Sequence, residues 1–370
     1  MSFQASFDHL NWDDIHLSLY SKTARHVDVA LAKPKRSLSD LMALLSPAAE
    51  PYLEQMAQMS QQLTRQRFGH TMGMFIPLYL SNLCSNVCTY CGFSMENRLK
   101  RKTLSVKEIE QECLAIKAMN FSQVLIVTGE HETKVGMDYF RQAIPVIKRY
   151  FDFVAMEVQP LDLEHYQELK QLGVDSVLVY QETYHRRTYA QHHLRGNKSD
   201  FDYRLQTADR LGQAGIDKIG LGALLGLQDW RTDLMFVGHH LDYLQRRYWQ
   251  SRYSISLPRL RPCTGGIEVK SAMTDTQLVQ ALCAFRLFSP DLDLSLSTRE
   301  SPWLRDHLVE LGVTSMSAAS KTQPGGYSNP APELEQFSTS DERPVAMIED
   351  MLIKQGITPV WKDWDRAYSF

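Results

Sequence analysis

A closed (βα)8 barrel is the fold the sequence predicts, on three observations. Eight short β-rich runs alternate with helical stretches over about 250 residues, the usual length of such a barrel. The helical stretches open on capping residues, and several stop on glycine. Polar side chains follow the apolar strands directly, at the face where a parallel barrel carries its chemistry. A doubly wound open sheet shows the same alternation and stands as the second reading, since strand order is not written in one sequence. The organisation expected is a helical extension over 1–71, the barrel over 72–320 and a C-terminal extension packing on it over 321–370.

Residues before 70 read as helical and polar. Ser37 is placed to cap a helix over 38–45 with Asp40 in its first turn, and 48–68 carries apolar positions at helical spacing, ending near Arg65 and Arg67. Pro34 and Pro47 punctuate the segment, which is expected to be an arm packing on the barrel. The strand candidates are 73–80, 122–128, 151–158, 176–181, 216–222, 252–257, 292–297 and 313–318. Helices are expected over 106–119, 138–150, 162–172, 202–214, 229–248, 275–288 and 303–311. Ser105 with Glu108, Asp162 with His165, and Thr274 before Asp275 supply start signals. Gly173, Gly215 and Gly312 stand where left-handed stops are expected.

Composition narrows the function. With 44% hydrophobic and 22% charged residues the chain is ordinary globular material, and a net charge of -3 gives no footprint for nucleic acid. No apolar run approaches the ~18 residues of a membrane span, and the opening Met-Ser-Phe-Gln is not a signal peptide. Six cysteines without an export signal argue for reduced thiols. The expectation is a cytoplasmic enzyme.

The polar residues at the strand ends are Cys84 after the first strand, Gly129 and Glu130 after the second, and Glu157 and Gln159 after the third. Gln181 and Glu182 follow the fourth, Arg259 and Arg261 the sixth, Arg299 and Glu300 the seventh, and Ser317 and Ser320 the eighth. Within the first of these loops lies Cys84-Ser-Asn-Val-Cys88-Thr-Tyr-Cys91. Three thiolates in eight residues suit an iron–sulfur cube with one open iron. Zinc is the alternative, with Cys263 as its fourth ligand. Tyr90 is either a packing aromatic or a stacking face for a purine beside the metal.

C-x3-C-x2-C with an aromatic before its last cysteine resembles the signature of the radical S-adenosylmethionine superfamily. The resemblance implies one [4Fe–4S] cluster on Cys84, Cys88 and Cys91, with S-adenosylmethionine on the open iron. It implies Tyr90 near the adenine, and Glu130 on the methionine ammonium beside Gly129, although Thr128 departs from the superfamily's Gly-Gly-Glu. Glu157 would take the ribose hydroxyls, Arg204 the methionine carboxylate, and Glu182 a further cofactor contact.

The runs Leu78-Tyr-Leu-Ser-Asn82, Val179-Tyr-Gln-Glu-Thr-Tyr184, Arg259-Leu-Arg-Pro262, Ser297-Thr-Arg-Glu300 and Lys321-Thr-Gln-Pro-Gly-Gly-Tyr327 resemble the aromatic amino acid lyases, and most closely the tyrosine lyases of thiamine biosynthesis. That implies cleavage of L-tyrosine to 2-iminoacetate and 4-methylphenol. It also implies thiazole synthase as partner and a low-potential donor of flavodoxin or ferredoxin type. Arg299 and Ser317 would hold the substrate carboxylate, with Gln181, Arg259 and Arg261 as second choices. The tail holds no cysteine, so a second cluster of the hydrogenase-maturing kind is not expected. Two rival readings remain open: a Schiff-base aldolase on Lys218 or Lys321, and a zinc-held scaffold. His185, His192 and His193 read as solvated surface, Cys113 and Cys283 as core thiols, Gly220 and Gly222 as room for a close-lying cofactor, and Trp361 with Trp364 as a barrel cap.

Overall fold

A computed structural model describes residues 2–263, 265–267 and 272–362. Among these the strands are β1 (Thr71–Ser81), β2 (Val87–Cys88), β3 (Gln123–Thr128), β4 (Phe153–Glu157), β5 (Ser176–Leu178), β6 (His193–Arg195), β7 (Lys218–Gly222), β8 (Arg252–Ser256), β9 (Asp293–Leu296), β10 (Ser315–Ser317) and β11 (Thr358–Val360). The parallel order β1-β3-β4-β5-β7-β8-β9-β10 returns to its start, with Phe75 of β1 in register with Ser317 of β10. The sheet is closed, so the open-sheet reading is overturned. Seven of the eight barrel strands fall inside the expected runs, trimmed by up to three residues at the ends, and β1 extends beyond its run of 73–80 at both ends.

Two strand features escaped the sequence reading. β11 pairs with the start of β1, outside the barrel, and Trp361 beyond it stands edge-on to Phe121 at 5.1 Å. Trp364 lies outside the described residues. β2 pairs antiparallel with β6, tying the cysteine loop to the connection after β5. Both pairings involve only two or three residues, too short for a periodicity to register.

The starts of the helices follow local chemistry. Ser37 with Asp40, Ser105 with Glu108, and Thr274 with Gln277 form reciprocal capping boxes. Asp162 departs from expectation. Its carboxylate accepts from the Tyr203 hydroxyl instead of capping its own helix. Gly173 and Gly215 take positive φ, whereas Gly312 does not. Gly312 is small for another reason, because a Cβ there would stand 2.6 Å from Leu282 and 2.9 Å from Ser60 Oγ. The expected helix 202–214 is broken at Gln206 into Phe201–Leu205 and Thr207–Ala214.

The N-terminal arm packs on one side of the barrel. Gln280 donates from helix Asp275–Phe288 to the carbonyls of Leu44 and Ser46, and Phe3 stacks on His240 at 3.8 Å. Cys113 and Cys283 are core thiols, as read. The segment after β10 is pinned by a buried ion pair. Arg305, also bonded to the Ser317 carbonyl, meets Asp341, and both side chains are fully buried. Removing the carboxylate strands a cation in the interior. Asp341→Ala is expected to lower stability by about 3–5 kcal/mol, read from urea unfolding midpoints.

Candidate active site

A cavity of about 300 Å³ runs down the barrel from its C-terminal rim. Cys84, Cys88 and Cys91 stand on its wall. The loop that carries them is fastened from behind by Arg101, whose guanidinium donates to the carbonyls of Asn82, Phe93, Ser94 and Asn97. Asn82 closes the other side through the Lys102 amide and the Lys100 carbonyl. Donors already reach two of the sulfurs: the Asn86 amide lies 3.5 Å from Cys84 Sγ, and the Gln336 side chain 3.6 Å from Cys91 Sγ. Burial pushes the Cys84 thiol up to about 11 and raises Cys88 further. Such thiols ionise when a bound cation compensates the charge.

The donor set suits an iron–sulfur cluster. Thiolates are its usual ligands, and amide donors on sulfur are how a protein tunes one. Among the described residues no three metal-binding side chains are gathered tightly enough to hold a single ion as they stand. Cys263, the possible fourth ligand for zinc, is turned to the Tyr90 carbonyl at 3.1 Å and is not on the cavity wall. Thr128 Oγ1 and Arg261 Nε are buried without partners on residues that line the cavity, so polar capacity remains for a ligand.

Beside the cysteines lies a buried charge network. Glu130 accepts from Asn86 at 2.7 Å and from Arg204 at 3.1 Å. Arg204 also donates to the Tyr180 carbonyl and approaches Glu182, which accepts from Lys198 at 2.7 Å. Burial alone would raise both acids, but Arg204 and Lys198 hold them below the usual carboxylate range. The turn carrying Gly129 lies against the cysteine loop so closely that a Cβ would stand 2.3 Å from the Leu83 carbonyl. Glu182 sits at φ 69°, a left-handed conformation for a residue with a side chain, and the next turn is held by Asp233, which accepts from Thr183 and the Tyr184 amide.

Arg299 and Ser317 line the same cavity. Ser317 Oγ accepts from the Thr298 amide and keeps its own proton. The Arg299 guanidinium stacks on Phe337 at 3.6 Å, and among the described residues no carboxylate lies within ion-pair distance of it. Arg259 and Arg261 differ in this respect, since both bind Glu300, and Arg259 also meets Asp275. Arg261 lines the cavity but Arg259 does not. Gln181 is also off the wall, with its side chain turned to the Phe201 carbonyl.

Several expectations are corrected. His193 is not solvated surface but only 2% exposed, with Nδ1 donating to the Tyr189 carbonyl. That fixes Nε2 as the acceptor for the Tyr90 hydroxyl at 2.7 Å, so His193 sets the Tyr90 ring in place. Gly222 and Gly220 leave room for protein side chains: a Cβ would strike the Tyr180 ring from the first and Leu178 from the second. Lys218 is ion-paired with Asp293 at the strand starts, remote from the rim, and Lys321 is exposed, so neither is a free amine at the site. Lys198, Asn86 and Arg101 were missed. Lys198 lies in a short turn that carries no motif, whereas a lone arginine closing the cysteine loop was visible for Arg101.

Residues 78–236 match the Radical SAM superfamily and 256–358 the Biotin and Thiamin Synthesis associated domain. With the cysteine triad at the mouth of a parallel barrel, they define a radical S-adenosylmethionine enzyme, a class that works with a [4Fe–4S] cluster and S-adenosylmethionine. The chain is 60% identical over 365 residues to the 2-iminoacetate synthases of Salmonella typhimurium and of Escherichia coli, covering 98% of this chain and 97% of each relative. It belongs to the 2-iminoacetate synthase family, and is a lyase. HydG, a maturase of the [FeFe]-hydrogenase, shares the fold at TM-score 0.89 and 29% identity, covering 95% of this chain and 80% of HydG. HydG from Carboxydothermus hydrogenoformans gives 0.85 and 33% over the same shares. Among the described residues no helix is long and apolar enough to cross a membrane.

Glu157 offers a titration test. Burial pushes its carboxyl up to about 7 against the pull of Arg299. A folded-state value above the unfolded one gives stability that is full below about pH 4 and is lost as pH rises through 7. Relative to Glu157→Gln, the cofactor-free protein is therefore expected to lose on the order of 2–3 kcal/mol between pH 4 and 8, read from paired urea titrations.

Proposed function

We propose that the chain cleaves the Cα–Cβ bond of L-tyrosine, giving 2-iminoacetate and 4-methylphenol. The observation that carries this reading is Arg299, a cation with no carboxylate within ion-pair distance among the described residues, lining the same cavity as the Ser317 hydroxyl and the three cysteines. A planar guanidinium with a nearby hydroxyl suits an amino acid carboxylate. Holding the carboxylate there turns the amino group toward the cysteine side, and the closed barrel keeps water from an imine it would hydrolyse. Arg259 and Arg261 are committed to Glu300 and are assigned to bracing the rim; Gln181 supports the turn before Glu182.

Cys84, Cys88 and Cys91 would hold the cluster, which together with S-adenosylmethionine would supply the radical chemistry of the class. Glu130 is assigned to the cofactor's ammonium with Gly129 alongside, Arg204 to its carboxylate, Glu157 to the ribose hydroxyls and Tyr90 to the adenine, with Glu182 and Lys198 balancing charge around them. The family's chemistry requires a reductant, for which a flavodoxin or ferredoxin is the proposed source, and thiazole synthase is the proposed acceptor of the imine. A cytoplasmic setting accords with six free cysteines. The division at 71 and 320 into arm, barrel and C-terminal extension completes the proposal.

Anaerobically reconstituted protein given reductant, S-adenosylmethionine and tyrosine is expected to release 4-methylphenol. Cys88→Ala should lose the brown cluster absorbance together with product. Arg299→Ala should keep the absorbance and lose tyrosine-dependent product; retention of product would remove Arg299 from its role, and an indole fragment from tryptophan would reassign the substrate.

A further inference from the structure

On the cavity wall lies a chain of hydroxyls that the reading above leaves unused. The Tyr180 hydroxyl donates to Ser256 Oγ at 2.9 Å, and Ser256 Oγ meets Ser295 Oγ at 2.5 Å. All three residues line the cavity. Three hydroxyl hydrogens serve two hydrogen bonds, so whichever way the serine pair is oriented one O–H remains for a ligand. The fold sets the chain in place. Ser256 is in register with Gly222 on one side and Ser295 on the other, and the missing Cβ of Gly222 lets the Tyr180 ring lie against β7.

Its position fits the substrate. Ser295 is in register with Ser315, two residues before Ser317, roughly 6.6 Å along the strand at about 3.3 Å per residue. With the carboxylate at Arg299 and Ser317, an aromatic side chain directed down the barrel passes apolar wall such as Leu178 and Ala155 and ends near the serines. We propose that the Tyr180–Ser256–Ser295 chain is the specificity device of this site, donating its spare hydrogen to the phenolic oxygen of the substrate. Such a donor, left unpaired when phenylalanine binds, discriminates against it, and it faces the oxygen over which charge spreads as the side chain departs.

The inference rests on the tyrosine reading, and binding without turnover separates the two. Reconstituted protein with S-adenosylmethionine and no reductant is titrated calorimetrically with tyrosine and with phenylalanine. The wild type is expected to favour tyrosine. Ser256→Ala/Ser295→Ala is expected to weaken tyrosine roughly tenfold or more while leaving phenylalanine nearly unchanged, and Ser295→Thr, which keeps the hydroxyl, to preserve the preference. General damage to the pocket would weaken both ligands together. A tyrosine-to-phenylalanine ratio in the double variant within twofold of wild type overturns the proposal with the tyrosine reading intact. Wild-type protein that binds neither amino acid removes the tyrosine reading and this inference with it.

Discussion

The register of β10 on β1 is the constraint on which the site depends. With Phe75 set opposite Ser317, the last barrel strand is sealed to the first, and the loop after β1 comes to the same rim as the loops after β9 and β10. The three thiols lie more than two hundred residues before Arg299 and Ser317 in the chain, yet all stand on one cavity wall. A slip of one residue would turn the inward side chains of a strand outward. Closure therefore fixes which residues are inside as well as how far apart the two groups lie. The ion pair of Arg305 with Asp341 secures that seam from outside, because Arg305 also holds the Ser317 carbonyl.

Within that frame the distribution of charge assigns roles more sharply than the residue types do. Three arginines follow neighbouring strands at the rim. Two are paired with Glu300, and the third stacks on an aromatic face with no ion pair among the described residues. On the opposite side Glu130 and Glu182 are each matched by Arg204 and Lys198, which is why buried acids there remain ionised. Among the described residues Glu157 has no such ion pair, and burial pushes its carboxyl up to about 7.

Much of this was legible beforehand. The barrel could be read because its strands are apolar runs several residues long and its helices carry caps, both local signals. The cysteine spacing was readable for the same reason. What stayed hidden depends on contacts distant in sequence: the counter-ions that distinguish Arg299 from Arg259, the burial of His193 behind Tyr90, and Lys198 in a turn with no pattern. Gln181 illustrates the converse. Its place at a strand end put it on the rim in principle, but the left-handed turn at Glu182 directs its side chain to Phe201.

The bracing by Arg101 bears on how the cysteine loop keeps its shape. Four backbone carbonyls of the cysteine loop are held by one guanidinium. A zinc finger, by contrast, is unfolded until its ion binds. The receptacle for the inorganic core thus has a tie of its own besides the three sulfurs, and a lysine at 101 could not hold four carbonyls with the same planar fork.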